Sequence, residues 1–403
     1  MSNEPDDVRR EMIALLGRIV GSGPLPADLQ RTALEMYASL AGPPPEPTAD
    51  LSTDEIPTAD TAALFPEVLD GGAAAAASVA APAAVGSRRL VYVHGICRHD
   101  RGYSDPWWAA LQPFVPTAFG PGTRGETRLE VLWSDIVNQA SGSLRGAVFG
   151  AASADALPDP VARRERARAA AAEEIKETLR DRADQQTMAA AAAQADGLAG
   201  AAGAGLLGAG AAAAAPAGAG LAGAEMAGLI SIPGASCIDD FSIYLVDDAV
   251  RKAIVDRFLA VVRPELAAGR GLDVIAHSWG TVVAYEGLRQ LEDDGLRTPL
   301  VRNFFTVGAA LSIGAVKLRL RPANKDGRKP ANVRNWVNLD ARGDVVGGPL
   351  KGRPYAVDAD FVNLAPSGCG SFLGLVNPQC SHSSYFRPAN ATVNRDVFAR
   401  FIN

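Results

Sequence analysis

Histidine is scarce in this chain: the 403 residues hold four, His94, His99, His277 and His382. Acid–base chemistry near neutral pH that depends on imidazole must therefore draw on these positions. Cysteine is equally scarce, with Cys97, Cys237, Cys369 and Cys380, and no Cys-x-x-Cys pair exists. That excludes the usual spaced zinc and redox motifs, and no metal is expected. Cys369 and Cys380 are close enough in sequence to bridge and brace the segment carrying His382, but only in an oxidising compartment. Excess positive charge is lacking as well. A formal net charge of -6, without interleaved aromatic and basic residues, argues against a nucleic-acid partner. One basic stretch, Lys317 through Lys329, reads as a solvated loop, with anionic lipid or a partner as the alternative. The first residues, Met1 to Asp7, are acidic and have no apolar h-region, so a conventional secretory signal is not expected. The default expectation is a cytoplasmic protein with reduced thiols; export by a dedicated secretion system, or membrane association, is compatible with the same sequence.

Against these absences stands the run Leu272 to Thr281, an apolar strand that turns at a serine and enters a helix. Its centre, Ala276-His277-Ser278-Trp279-Gly280, has small residues two before and two after the serine. Strand and helix approach closely at such a turn, which tolerates little bulk, and the helix N-terminus then faces a reacting carbonyl. A serine nucleophile needs a histidine to take its proton and a carboxylate to orient that histidine. When the order is Ser, then Asp or Glu, then His, the sole histidine after Ser278 is His382. It falls in Cys380 to Phe386, read as a loop between the strand-like Phe361 to Leu364 and a C-terminal helix. For the acid, Val333 to Leu339 alternates as a strand, and Asp340 and Asp344 follow in what reads as a loop. Asp344 is the choice because it lies past the strand end and precedes an anchoring pair, Val345-Val346; Asp340 is the alternative. A further apolar strand, Arg89 to Val93, ends at His94-Gly95, and the amides of Ile96 and Trp279 are the expected oxyanion donors. His94 reads as a structural brace.

In these residues the chain resembles the α/β-hydrolase superfamily, its lipase and esterase branch most closely. The likeness rests on His94-Gly95, the Ala276 to Gly280 elbow, Asp344 and His382, with weaker support from Val131 to Ser134 and Phe304 to Gly308. It spans roughly residues 87 to 136 and 238 to 403. The resemblance implies an α/β fold, a mostly parallel sheet flanked by helices, and a serine hydrolase that needs no cofactor. Nearly half of the residues are apolar, enough for the core of one main domain with additions.

The expected organisation is a helical hairpin over residues 1–45, a Pro/Ala-rich linker over 46–86, and the hydrolase-like domain over 87–403 with a lid-like insertion over 137–237. The N-terminal helices would dock a partner or oligomerise. Within the insertion, residues 161–183 form a charged, alanine-rich helix, and residues 197–224 run for 28 positions without a charge. Four leucines, at about 0.3 to 0.6 kcal/mol each, make a weak membrane anchor, and nine glycines weaken it further. Three readings stay open: low-complexity filler, a mobile cap over the site, and a membrane-inserting hairpin. The segment Arg101 to Trp108 reads either as a wall of an acyl pocket or, preferably, as the start of a core helix.

The expected activity is hydrolysis of a carboxylic ester, with lipid or fatty-acyl esters as the substrate class. Two alternatives remain: a degenerate hydrolase fold used for binding, scaffolding or membrane disruption, and hydrolysis of an amide or thioester.

Overall fold

The structure, a computed structural model, describes residues 88–150, 159–205, 234–352, 355–369, 371–372 and 375–403. The expected N-terminal hairpin and linker, and the later part of the uncharged 197–224 stretch, lie outside these residues.

Six strands form one parallel sheet: β1 (Arg89–Val93), β2 (Arg128–Val131), β3 (Leu272–His277), β4 (Val301–Val307), β5 (Val333–Ala341) and β6 (Ala359–Leu364). Their spatial order is β2-β1-β3-β4-β5-β6. Strands covered on both faces need apolar residues at nearly every position, and the pleat divides those residues between two layers. Val91, Val93, Val274 and Ala276 join one core, and Leu90, Tyr92 and Ile275 the other. The architecture is therefore α/β.

The chain runs from β1 outward to the edge at β2, crosses back past β1 to β3, and continues outward through β6. The order reverses between β1 and β3. In parallel sheets the crevice at such a reversal, beyond the carboxyl ends of the strands, is where ligands bind. Both Gly95 and Ser278 lie just past those two ends.

Helix α1 (Asp105–Leu111) buries Trp108 against Phe119 and Gly122, as a core role requires. Trp107 stacks on Phe386 at 3.9 Å between ring centroids. After β2, the inserted segment forms α2 (Ser134–Gly150) and the long α3 (Asp159–Gly205), followed by α4 (Ala235–Val246) and α5 (Asp248–Ala267). Ala171, Ala172, Ile175, Leu179 and Ala183 are buried at helical spacing, giving α3 one apolar stripe that faces the body. Ion pairs Lys176–Asp239 at 2.8 Å and Arg319–Glu174 at 2.6 Å flank that stripe. This part of the insertion is docked. Among the described residues no helix is long and apolar enough to cross a membrane.

Three expectations need correction. The basic stretch is a solvated loop only in its later part, where Lys325 and Arg328 are exposed; it begins in the short helix α7 (Gly314–Leu318), in which Lys317 is buried. Arg319 pairs with Glu174, Arg328 with Glu292 and Lys329 with Asp358, acidic partners remote in sequence that its local composition does not reveal. Asp340 lies within β5 instead of in the loop after it, because the apolar alternation runs on through Ala341. The thiols are not reduced: Cys97 bonds to Cys237 and Cys369 to Cys380. The first bridge closes a sequence separation of 140 residues. Replacing both Cys97 and Cys237 by serine is expected to lower unfolding free energy by about 5 kcal/mol, measured by denaturant titration, since a loop that long gains much entropy when released.

Candidate active site

The strand β3 ends at His277, and α6 (Gly280–Asp293) begins two residues after Ser278. Ser278 sits at φ 56°, the left-handed region that non-glycine residues rarely occupy. Its backbone is nonetheless satisfied, with the amide donating to the Val307 carbonyl at 2.9 Å and the carbonyl accepting from Thr281 Oγ1 at 2.6 Å. The strain therefore persists because the surrounding hydrogen bonds enforce it. Gly280 is obligatory, as a Cβ there would lie 2.2 Å from the His94 carbonyl oxygen. A Cβ on Gly95 would meet Ser278 Cβ at 2.8 Å. The loop after β1 thus passes directly against the serine.

Ser278, His382 and Asp344 come together although they descend from three separate elements. His382 Nε2 lies 2.9 Å from Ser278 Oγ, and its Nδ1 lies 2.9 Å from both carboxylate oxygens of Asp344. His382 occupies the last turn of a short helix, α8 (Pro378–Ser383), where the sequence reading placed a loop. Asn377 caps that helix by accepting from the Cys380 amide at 3.1 Å, with Pro378 in its first turn. The Cys369–Cys380 bridge is anchored in the same helix.

Asp344 is held by more than His382. The amides of Val346 and Gly347 donate to its Oδ1 at 2.9 and 3.0 Å, and the Tyr385 hydroxyl donates to Oδ2 at 2.7 Å. Burial by itself would raise its pKa, but His382, the Gly347 amide and Tyr385 outweigh burial and hold the carboxyl at about 2. Gly308, at φ 53°, opens the space for this pair, since a Cβ there would lie 2.7 Å from Asp344 Oδ2. Asp340 is different: burial, then the neighbouring Asp344 charge, push its carboxyl well above the usual range. It is not hydrogen-bonded to His382, whose Nδ1 is occupied by Asp344.

Of the two residues expected to supply oxyanion donors, Trp279 follows Ser278 directly and Ile96 follows Gly95, which packs against that serine. Trp279 is the N-cap of α6, so its N–H has no acceptor within the helix. The Ile96 side chain packs on Gly234 at the entry to α4, and Cys97 ties the same loop to Cys237 of α4. His94 braces this loop. Its Nδ1 donates to the Gly95 carbonyl at 2.7 Å while its Nε2 accepts from the Trp133 amide at 3.1 Å, an arrangement that one neutral tautomer satisfies. Burial and the nearby His99 keep its pKa well below normal, consistent with that neutral form.

His277, Tyr385 and Gly308 were not singled out for the site by the sequence reading. His277 Nε2 lies 2.9 Å from the His382 carbonyl, to which it donates from behind the imidazole. Burial, then repulsion from His382, lower the His277 pKa to about 3. Its signal was adjacency to Ser278; Tyr385 gave none beyond lying three residues after His382. The neutral state of His277 carries a pH prediction. Between its ordinary value near 6.5 and about 3, the unfolded chain binds this proton and the folded chain does not, so stability falls as pH falls through that window. The slope is about 1.4 kcal/mol per pH unit. His277→Asn, which keeps a donor, is expected to flatten that acid slope in denaturant titrations from pH 7 to 4.

Among the described residues no cluster of three or more His, Cys, Asp or Glu side chains is placed to hold a metal ion. Chemically, the arrangement can deprotonate Ser278 through His382 and stabilise the resulting imidazolium with Asp344. Comparisons with protein-family models, with curated proteins and with solved structures returned no match.

Proposed function

We propose that the chain is a serine hydrolase of the α/β-hydrolase type that cleaves carboxylic esters. The observation that carries this reading is the unbroken hydrogen-bonded line from Ser278 Oγ through His382 to Asp344, starting on a serine at positive φ. A purely structural Ser–His–Asp contact has no need of a strained serine at the sheet's reversal point, whereas a nucleophile presented to substrate does. In this reading Ser278 attacks the acyl carbonyl while His382 takes its proton and later gives it to the leaving alcohol. Asp344 fixes the His382 tautomer, and the Ile96 and Trp279 amides hold the oxyanion. Water activated by the same histidine then releases the acid. The uncharged, apolar composition of residues 197–224 supports lipid or fatty-acyl esters as the substrate class. The paired cysteines support action in an oxidising compartment.

The test is a panel of p-nitrophenyl esters of increasing acyl length, assayed beside a matched amide and thioester. Ester turnover that rises with chain length supports the reading. Turnover of the amide or thioester alone would move the bond class, and inertness toward every substrate would favour a non-catalytic role.

A further inference from the structure

Arg182 belongs to α3, in the segment inserted between β2 and β3, yet its guanidinium ends among the residues that follow Asp344. The two N–H groups of Nη1 are shared among four acceptors, the carbonyls of Val345 at 3.1 Å, Val346 at 3.2 Å and Gly347 at 2.9 Å, and Ser312 Oγ at 3.0 Å. Nη2 donates to the Ser312 carbonyl at 2.7 Å. One helical turn further on, Gln186 Nε2 reaches the Asp344 carbonyl at 3.4 Å.

The pattern is directional. The peptide joining Val345 to Val346 gives its oxygen to Arg182 and its N–H to Asp344 Oδ1, and the next peptide, Val346 to Gly347, does the same. Two successive peptide dipoles thus lie between a cation and an anion, each with its positive end on the carboxylate and its negative end on the guanidinium. Charge-assisted hydrogen bonds at both ends hold these peptides in one orientation, and that orientation fixes the carboxylate which faces His382. A lysine could supply the charge but not two coplanar nitrogens, one set among the carbonyls of residues 345–347 and the other on the Ser312 carbonyl. The apolar stripe from Ala171 to Ala183 and the Lys176–Asp239 and Arg319–Glu174 pairs determine where the guanidinium arrives.

We propose that Arg182 is a positioning residue for the Asp344–His382 pair, so that the acid of the site is correctly set only while α3 is docked. The inserted helix thereby controls catalysis through the acid as well as through any covering role. This rests on the reading of Ser278, His382 and Asp344 as the catalytic residues.

The test uses the full chain with its disulfides intact and compares wild type with Arg182→Ala and Arg182→Lys. Three quantities are read: kcat and KM on p-nitrophenyl butyrate, the rate of fluorophosphonate labelling, and the His382 Nδ1 proton resonance in nitrogen-edited NMR. For Arg182→Ala the expected results are a fall of about 10²-fold in kcat with KM changed by no more than about twofold. The low-field Nδ1 proton signal should be lost, and added methylguanidinium should restore part of the rate. Arg182→Lys should fall between the two, and it carries the test if the alanine variant does not fold. A folded Arg182 variant with wild-type kcat and an unchanged Nδ1 resonance would overturn the proposal while leaving the catalytic reading intact. A wild type that neither labels nor turns over ester would instead overturn the catalytic reading, and this proposal with it.

Discussion

Replacing Ser278 by alanine will lower ester turnover by roughly 10⁶-fold while leaving the folded structure in place. The size of the effect follows from the single oxygen removed. Ser278 Oγ is the one group at the turn that lies 2.9 Å from His382 Nε2, and without it nothing at that position can form an acyl-enzyme. The fold survives because the elbow is maintained by the backbone: the Ser278 amide still donates to Val307, and its carbonyl still accepts from Thr281. Alanine carries the same Cβ as serine at φ 56°, so the strain is unchanged. The measurement is kcat beside the thermal unfolding midpoint of both proteins. A variant that kept a tenth of the turnover would mean that the hydrolysis arises elsewhere.

The second large effect separates the two carboxylates. Asp344→Asn is expected to reduce kcat by about 10⁴-fold, because an amide nitrogen facing His382 Nδ1 favours the tautomer that cannot accept the serine proton. Asp340→Asn is expected to leave kcat close to wild type. Burial and the adjacent Asp344 both disfavour a charge on Asp340, and it makes no hydrogen bond to His382, so an uncharged amide there leaves the triad contacts in place. Asp344 by contrast has its charge held by two amides, a tyrosine hydroxyl and the imidazole. Steady-state assays of both variants decide the matter, and a reversal of the two effects would transfer the acid's role to Asp340.

What was legible in the sequence is what depends on neighbours in the chain. The apolar runs of β1 and β3 show two-sided burial directly, and the small residue Gly280 marks a close approach that the structure places at the His94 carbonyl. His382 could be reached by elimination among four histidines. Its helix was legible too: Asn377-Pro378 is a cap followed by a first-turn proline, a start signal that the sequence reading passed over. The contacts that complete the site were not legible, because each joins residues far apart. Nothing near Cys97 points to Cys237, and nothing near Arg182 points to the carbonyls after Asp344. Such pairings appear once α3 and α4 dock, since register between helices is set by packing of whole faces. The ion pairs of the basic stretch were hidden for the same reason, their acidic partners lying on α3, α6 and the segment before β6.

The most direct test of the central claim is to treat the purified chain with a fluorophosphonate, digest it, and locate the adduct by tandem mass spectrometry. The account predicts one adduct, on Ser278, formed in the wild type and absent from His382→Ala. An adduct on another serine, or equal labelling of Ser278 without His382, would contradict it.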